Sequence, residues 1–301
     1  MALEFNEVHA RRDVSRLRAM VKRLIQTYKA PKDWVNSPPG LGDFVRGITH
    51  LIERVHGSNI ELRIDVSQTE FANLIIQNPD IFQTGDPAHI ATAEEYFVDH
   101  WKLEERLLAF SKSEESELYI CTNLGDWNRI KLPSIARDFT SHFYNFDKVV
   151  VDKLISQLPV SHYEVLSLRC GDSFYGQSSD DLNFTLDSFL YKIIEEQIIP
   201  NTRAPLIITS DSYSVKLALA SRYGFLLLPH QSQHGAFGNV MPVAMDMCML
   251  RDSRFNYHIN SWATWWSGFS HYTSLIFEIP SMNFRAPDFL KEEVTDFGIS
   301  I

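Results

Sequence analysis

Three short runs in the second half of this chain end on side chains suited to holding phosphate. Leu168-Arg169-Cys170-Gly171-Asp172, Thr209-Ser210-Asp211 and His258-Ile259-Asn260-Ser261 each close an apolar stretch, and together they offer a guanidinium, carboxylates, hydroxyls and an amide. An arginine grips phosphate oxygens in a bidentate fork, a helix start adds free N–H donors, and a carboxylate holds a ribose diol or a purine edge. The set suits a nucleoside diphosphate. Taken singly, each residue has a plainer use: a strand-end Arg or Asp often forms an ion pair, and Ser261 stands where a helix N-cap belongs. Convergence at three successive strand ends is what points to a ligand.

That convergence needs a scaffold. Residues 163–169, Pro205-Leu206-Ile207-Ile208-Thr209, Phe225-Leu226-Leu227-Leu228 and Phe255-Asn256-Tyr257-His258-Ile259 read as strands, and 181–196, 213–223, 243–252 and 262–277 as helices. Strands alternating with helices of this length predict right-handed βαβ units on a parallel sheet, whose ligands lie beyond the carboxyl ends of the strands. The first half is less regular. Strands are predicted at Ile60–Val66 and Glu117–Thr122, and helices at 93–110 and from Phe146 to Leu158, where Pro159 ends the run. A turn-rich passage reaches Gly40-Leu41-Gly42-Asp43-Phe44, a glycine loop opening a helix that runs to Val55. Nearer the N-terminus, Val14, Leu17, Val21, Leu24 and Tyr28 are spaced by three and four, which predicts a leading helix with one apolar seam and a basic opposite face.

Length and composition narrow the class. A chain of 301 residues has room for about two domains, and the expected division is 1–159, 160–280 and a tail at 281–301 that crosses back to the first domain. With 45% hydrophobic and 22% charged residues it is an ordinary globular protein, neither disordered nor fibrous. A net charge of -10 repels nucleic acid phosphate. No apolar run approaches the roughly 18 residues of a membrane span, and the first residues lack a signal-peptide core. Cys121, Cys170 and Cys248 form neither a CxxC pair nor an even set, so no disulfide framework or zinc site is expected. The expectation is a soluble cytoplasmic protein, or one module of a larger polypeptide.

Two motifs in the second half resemble the fucosyltransferase superfamily that uses GDP-fucose, most closely its α-1,2-fucosyltransferases. That family's His-x-Arg-x-Gly-Asp strand end is matched by Ser167-Leu168-Arg169-Cys170-Gly171-Asp172, with Ser167 in place of His. Its C-terminal stretch, an Asp followed through helix and strand by Asn-Ser-x-x-Ser-Trp-Trp, is similar to Asp246 with Asn260-Ser261-Trp262-Ala263-Thr264-Trp265-Trp266. Ser210-Asp211 matches the middle element and Gly40-Leu41-Gly42 the N-terminal glycine loop. The resemblance implies a GT-B fold, two Rossmann-like doubly wound α/β domains facing across a cleft, with the acceptor side on the first and GDP-fucose on the second. It implies that Arg169 binds the β-phosphate and stabilises the leaving diphosphate, that Asp246 takes the guanine edge, and that Ser261 and Thr264 hold phosphate. Gly40, Gly42, Arg46, Gly171, Asp172, Asp211 and Asn260 complete the donor set.

The implied reaction is inverting transfer of L-fucose from GDP-β-L-fucose to a glycan hydroxyl. No cofactor or metal is expected, since the chain has no Asp-x-Asp pair of the kind that holds a divalent ion on a diphosphate. A general base must come from the first domain, and Asp43 is the candidate; its plainer reading is a cap on the helix it opens. Arg46, a turn later, either orients Asp43 or touches the donor, and His230 and His234 are secondary candidates. Two other readings stand beside this one: a GT-B enzyme using another nucleotide sugar, and a catalytically silent nucleotide- or glycan-binding module.

Overall fold

The computed structural model describes residues 21–28, 40–97, 99–126, 129–169, 188–230, 240–260 and 268–285. These form two parallel sheets. The first is built from β1 (Lys22–Thr27), β2 (Ile60–Asp65), β3 (Glu94–Tyr96) and β4 (Glu117–Thr122), in the order β2-β1-β4-β3. Its helices are α1 (Leu41–Val55), α2 (Pro87–Ala91), α3 (His100–Lys112), α4 (Ser134–Ser141) and α5 (Lys148–Gln157).

β1 corrects the expectation of a leading basic helix. Lys22–Thr27 is a strand at the middle of the sheet, with Lys22 opposite Ile60 and Thr27 opposite Asp65. Leu24 and Ile25, neighbours in sequence, are both fully buried, as on a parallel strand covered on both faces. Lys22 and Arg23 mimic a solvated helix face but belong to a strand. Lys22 Nζ donates to the carbonyls of Phe110 (2.7 Å) and Glu115 (3.0 Å), so the ammonium sits where α3 presents free carbonyls. The rest of the expected helix, before residue 21, lies outside the described residues.

The helix expected at 93–110 divides in two: Glu94–Tyr96 pairs with β4 and the helix begins only at His100. α1 follows its pattern, burying Leu41, Phe44, Val45, Ile48, Leu51, Ile52 and Val55 along one face. α5 starts where the Asp147 side chain accepts the amide of Val149 (2.9 Å).

The second sheet has the order β7-β6-β5-β8-β9, all parallel, from β5 (Glu164–Arg169), β6 (Leu206–Ser210), β7 (Leu226–Leu227), β8 (Asn256–Asn260) and β9 (Ser281–Arg285). Central β5 is buried on both faces. The helices are α6 (Ser188–Ile193), which continues into a π-helical turn at Ile194–Ile198, α7 (Tyr213–Tyr223), α8 (Met241–Asp252) and α9 (Ser270–Phe277). Ser212 caps α7, and Gly224, at φ 72°, ends it in the left-handed region. β9 takes the first five residues of the expected 281–301 tail as an edge strand of the second sheet, and the rest of that tail lies outside the described residues.

One core runs through both halves. α8 packs on α5, and α9 packs on α1 and α4. The Tyr144 hydroxyl meets Thr273 Oγ1 at 2.9 Å, Tyr272 donates to the Asp126 carbonyl at 2.7 Å, and Arg251 donates to the Tyr144 carbonyl at 2.8 Å. The architecture is therefore two Rossmann-like α/β units in GT-B arrangement. Among the described residues no helix is long and apolar enough to cross a membrane.

Candidate active site

Arg169 is the last residue of β5, in register with Asn260 at the end of β8, while Ser210 ends β6 and is followed at once by Asp211 and the capping Ser212. The strand ends thus stand side by side, as parallel β-strands feeding helices require. Gly171, Asp172, Ser261 and Thr264 lie outside the described residues, as does His234.

The first half contributes the opening turn of α1. Gly40 occupies the cap position without a side-chain cap bond, and Asp43 is the acid of the first turn. Asp43 is not a capping side chain for Gly40; its Oδ1 accepts from Arg46 Nη1 at 2.9 Å. Arg46 is fully buried, and its Nε donates to the Asn123 carbonyl at 2.7 Å. Burial lowers the proton affinity of this guanidinium, Asp43 and Tyr272 raise it, and the like charge of Arg169 lowers it again. Gly125, at φ 151°, makes room for this arrangement, because a Cβ there would lie 2.6 Å from Arg46 Cγ.

Gly42 and Gly268 bring the halves closer still. A Cβ on Gly42 would lie 2.0 Å from the Phe269 amide nitrogen, and one on Gly268 would lie 2.6 Å from the Gly42 carbonyl carbon. Gly268 comes two residues after the Asn260–Trp266 motif, so the start of α1 rests on the chain leaving that motif.

Asp246 lies on α8, 2% exposed. Its Oδ2 accepts from Thr209 Oγ1 at 2.7 Å, and its Oδ1 accepts from His230 Nε2 at 2.8 Å. Lys216, also buried, donates from Nζ to the His230 carbonyl at 2.8 Å; burial lowers its pKa and Asp246 pulls it back up. Sequence reasoning singled out Asp246 and offered His230 as a secondary candidate for the base; it did not pair the two, and it passed over Thr209 and Lys216 as members of this network. The only signal was Thr209 at a strand end; the His230 pairing spans sixteen residues and leaves no periodic trace.

Ser167 stands in register between Thr209 on β6 and His258 on β8, and His258 is in turn opposite Asn283 on β9. All four are buried. His258 Nε2 bonds Ser274 Oγ at 3.0 Å, and burial holds this imidazole neutral, with nearby His271 adding to the downward shift. Among the described residues no group of three or more His, Cys, Asp or Glu side chains is placed to hold a metal ion.

No protein-family model matches the chain, and no curated protein matches it. Solved structures do. NodZ alpha-1,6-fucosyltransferase co-crystallised with GDP aligns at a TM-score of 0.50 and 11% identity, covering 87% of this chain and 94% of that one. The fucosyltransferase NodZ from Bradyrhizobium aligns at 0.51 and 12%, covering 88% and 94%. At such identities the likeness is one of architecture: this chain is built, over most of its length, on the GT-B fold of those fucosyltransferases.

Proposed function

We propose that the chain is an inverting, metal-independent fucosyltransferase that moves L-fucose from GDP-β-L-fucose to a hydroxyl of a glycan acceptor. The observation that carries this reading is the placement of Arg169 at the carboxyl end of β5, in register with Asn260 at the end of β8 and beside Ser210-Asp211 at the end of β6. A guanidinium at the carboxyl end of a parallel strand, level with the ends of its neighbours, stands where doubly wound sheets bind phosphate-bearing ligands. The motifs resembling GDP-fucose enzymes support GDP-fucose as the donor, and the fold shared with a fucosyltransferase co-crystallised with GDP is consistent with it.

In this reading the acceptor oxygen forms a bond to the anomeric carbon as the bond to the β-phosphate oxygen breaks, and the electron pair leaves on GDP. Charge then grows on the diphosphate, where preorganised cations are most effective. Arg169 holds that charge. Asp43, aimed from the first half and oriented by Arg46, accepts the proton of the acceptor hydroxyl. Asp246 reads the guanine edge, Ser261 and Thr264 are assigned to the phosphates, Gly171, Asp172, Asn260 and Asp211 to the rest of the donor, and Gly40 leaves room for it at the start of α1, whereas Gly42 is packed against the Phe269 main chain. The first half carries the acceptor side and the second the donor side. The buried thiols of Cys121 and Cys248 suit a reducing compartment such as the cytoplasm.

Ser167 favours a second reading. The family that the chain resembles has His there, and a serine in register with Thr209 and His258 leaves the nucleotide contact of that His unmade; a donor other than GDP-fucose, or binding without turnover, follows from that. Calorimetric titration with GDP, GDP-fucose, ADP and UDP, with and without EDTA, separates these cases. Binding of GDP and GDP-fucose alone, insensitive to EDTA, is the expected result. Binding of UDP, or a requirement for a divalent ion, overturns the fucosyltransferase reading; binding of GDP with no transfer to any acceptor makes the chain a silent module.

A further inference from the structure

The Asp246 carboxylate is held more firmly than a buried aspartate requires. Thr209 engages one oxygen and His230 the other. His230 is itself fixed: its side chain is 8% exposed and its carbonyl accepts from Lys216 Nζ at 2.8 Å. An ionised carboxylate only accepts, so Nε2 carries the proton and the tautomer is set by Asp246. Two donors, one on each oxygen, determine the plane of the group.

The plane matters because guanine presents two parallel donors, N1–H and the 2-amino group, and a carboxylate accepts both only when its two oxygens lie edge-on to them. A purine with a 6-oxo group but no 2-amino group offers one donor. Discrimination between the two therefore depends on the oxygen that the second donor must reach, and a carboxylate free to rotate about χ2 loses that preference first. We infer that His230 is a specificity-determining positioning residue, whose Nε2–H sets the plane of Asp246 so that the site prefers guanine to purines lacking the 2-amino group. The inference rests on the guanine-reading role of Asp246 proposed above.

Glutamine and asparagine provide the test. The glutamine amide nitrogen reaches the place of a histidine Nε2, whereas the asparagine nitrogen stops near the place of Nδ1. Dissociation constants for GDP and inosine diphosphate are measured by calorimetry on the wild type and on His230→Gln, His230→Asn, His230→Ala and Asp246→Asn, with thermal unfolding of each unliganded protein. The wild type is expected to prefer GDP by roughly 10-fold or more, the worth of one hydrogen bond to a charged group. His230→Gln keeps that ratio to within about 3-fold, and His230→Asn and His230→Ala reduce it below about 3-fold. A merely structural histidine would lower the unfolding temperature and leave the ratio alone, and that result overturns the inference. Should His230→Ala not fold, the glutamine and asparagine variants decide. A wild type that ignores GDP, or a ratio unchanged in Asp246→Asn, brings down the guanine reading itself and the inference with it; an Asp246-dependent ratio that survives in His230→Asn brings down the inference alone.

Discussion

Gly42 and Gly268 meet backbone to backbone, so that a methyl group on either would lie within 2.6 Å of main-chain carbon or nitrogen of the facing segment. Main chain cannot rotate away as a flexible side chain does. Gly42→Ala and Gly268→Ala are each expected to lower stability by about 1–3 kcal/mol through overpacking and to displace the start of α1, and with it Asp43 and Arg46. Fucose transfer should fall further than stability does. Denaturant titration beside turnover checks this, and an alanine at either position with wild-type stability and rate would show that the two segments do not touch in solution.

Arg169 is expected to act on the rate. Arg169→Ala should lower kcat by about 100- to 1000-fold, the usual effect of removing a preorganised group from a developing charge. Arg169→Lys should restore little of it, because an ammonium cannot span two phosphate oxygens. A steady-state comparison of the three proteins decides, and an alanine variant within about 3-fold of wild type would remove Arg169 from the chemistry.

Asp43 and Arg46 separate base from anchor. Asp43→Asn leaves Arg46 an oxygen to bond, so it should cost about 1–2 kcal/mol, the difference between a charged and a neutral acceptor, while kcat drops by roughly 100-fold or more if the carboxylate takes the acceptor's proton. Arg46→Met instead strands a partly buried carboxylate and the Asn123 carbonyl, at about 3 kcal/mol. Equal kcat in wild type and Asp43→Asn would leave Asp43 as the counter-ion of Arg46 and nothing more.

Acid should destabilise the fold through three histidines. Burial holds His50 down to about 4, with Arg54 and His100 adding to the shift, and it lowers His258 and His271 from the usual 6.5 as well; the Arg129 carbonyl and Asn283 oppose the shift of His271. A histidine lowered in the folded state gains a proton on unfolding, so the unfolded chain binds more protons below pH 6.5 and stability declines as pH falls. Each contributes about 1.4 kcal/mol per pH unit until its folded-state value is reached, which for His50 spans pH 6.5 to about 4. Urea unfolding at pH 7.5, 6 and 5 measures it. A flat profile would mean that these imidazoles reach water in the native state.

The second sheet was legible in the sequence because its strands are short apolar runs with caps between them. Ser212 and Gly224 bracket α7, and Pro205 and Ser210 bracket β6. β1 was not legible, because Lys22, Arg23 and Gln26 break the apolar run of a buried strand, and only the facing carbonyls and Glu117 that receive them explain their presence. β9 was hidden for a related reason: Ser281-Met282-Asn283-Phe284-Arg285 buries Phe284 against the second core and Asn283 on the opposite face, a pattern that means nothing until β8 is beside it. At the site, strand-end chemistry pointed to Arg169 and the family resemblance to Asp246, whereas Gly268 and Gly125 serve by being small, and the need for smallness exists only once Gly42 and Arg46 are in place.

Thr209, Ser167, His258 and Asn283 cross four neighbouring strands in one buried line, while Ile208, Leu168 and Ile259 turn to the opposite, mainly apolar side. Because parallel strands are joined by evenly spaced bonds, backbone pairing alone would accept a strand shifted by one position. The polar line does not accept it: a shift would thrust a hydroxyl or imidazole into hydrocarbon and set a leucine against Asp246 or Ser274. These side chains work as an alignment key, admitting a single phase for the sheet. The strand ends that present Arg169 and Asp211 are then level with each other because the key lies two residues beneath them.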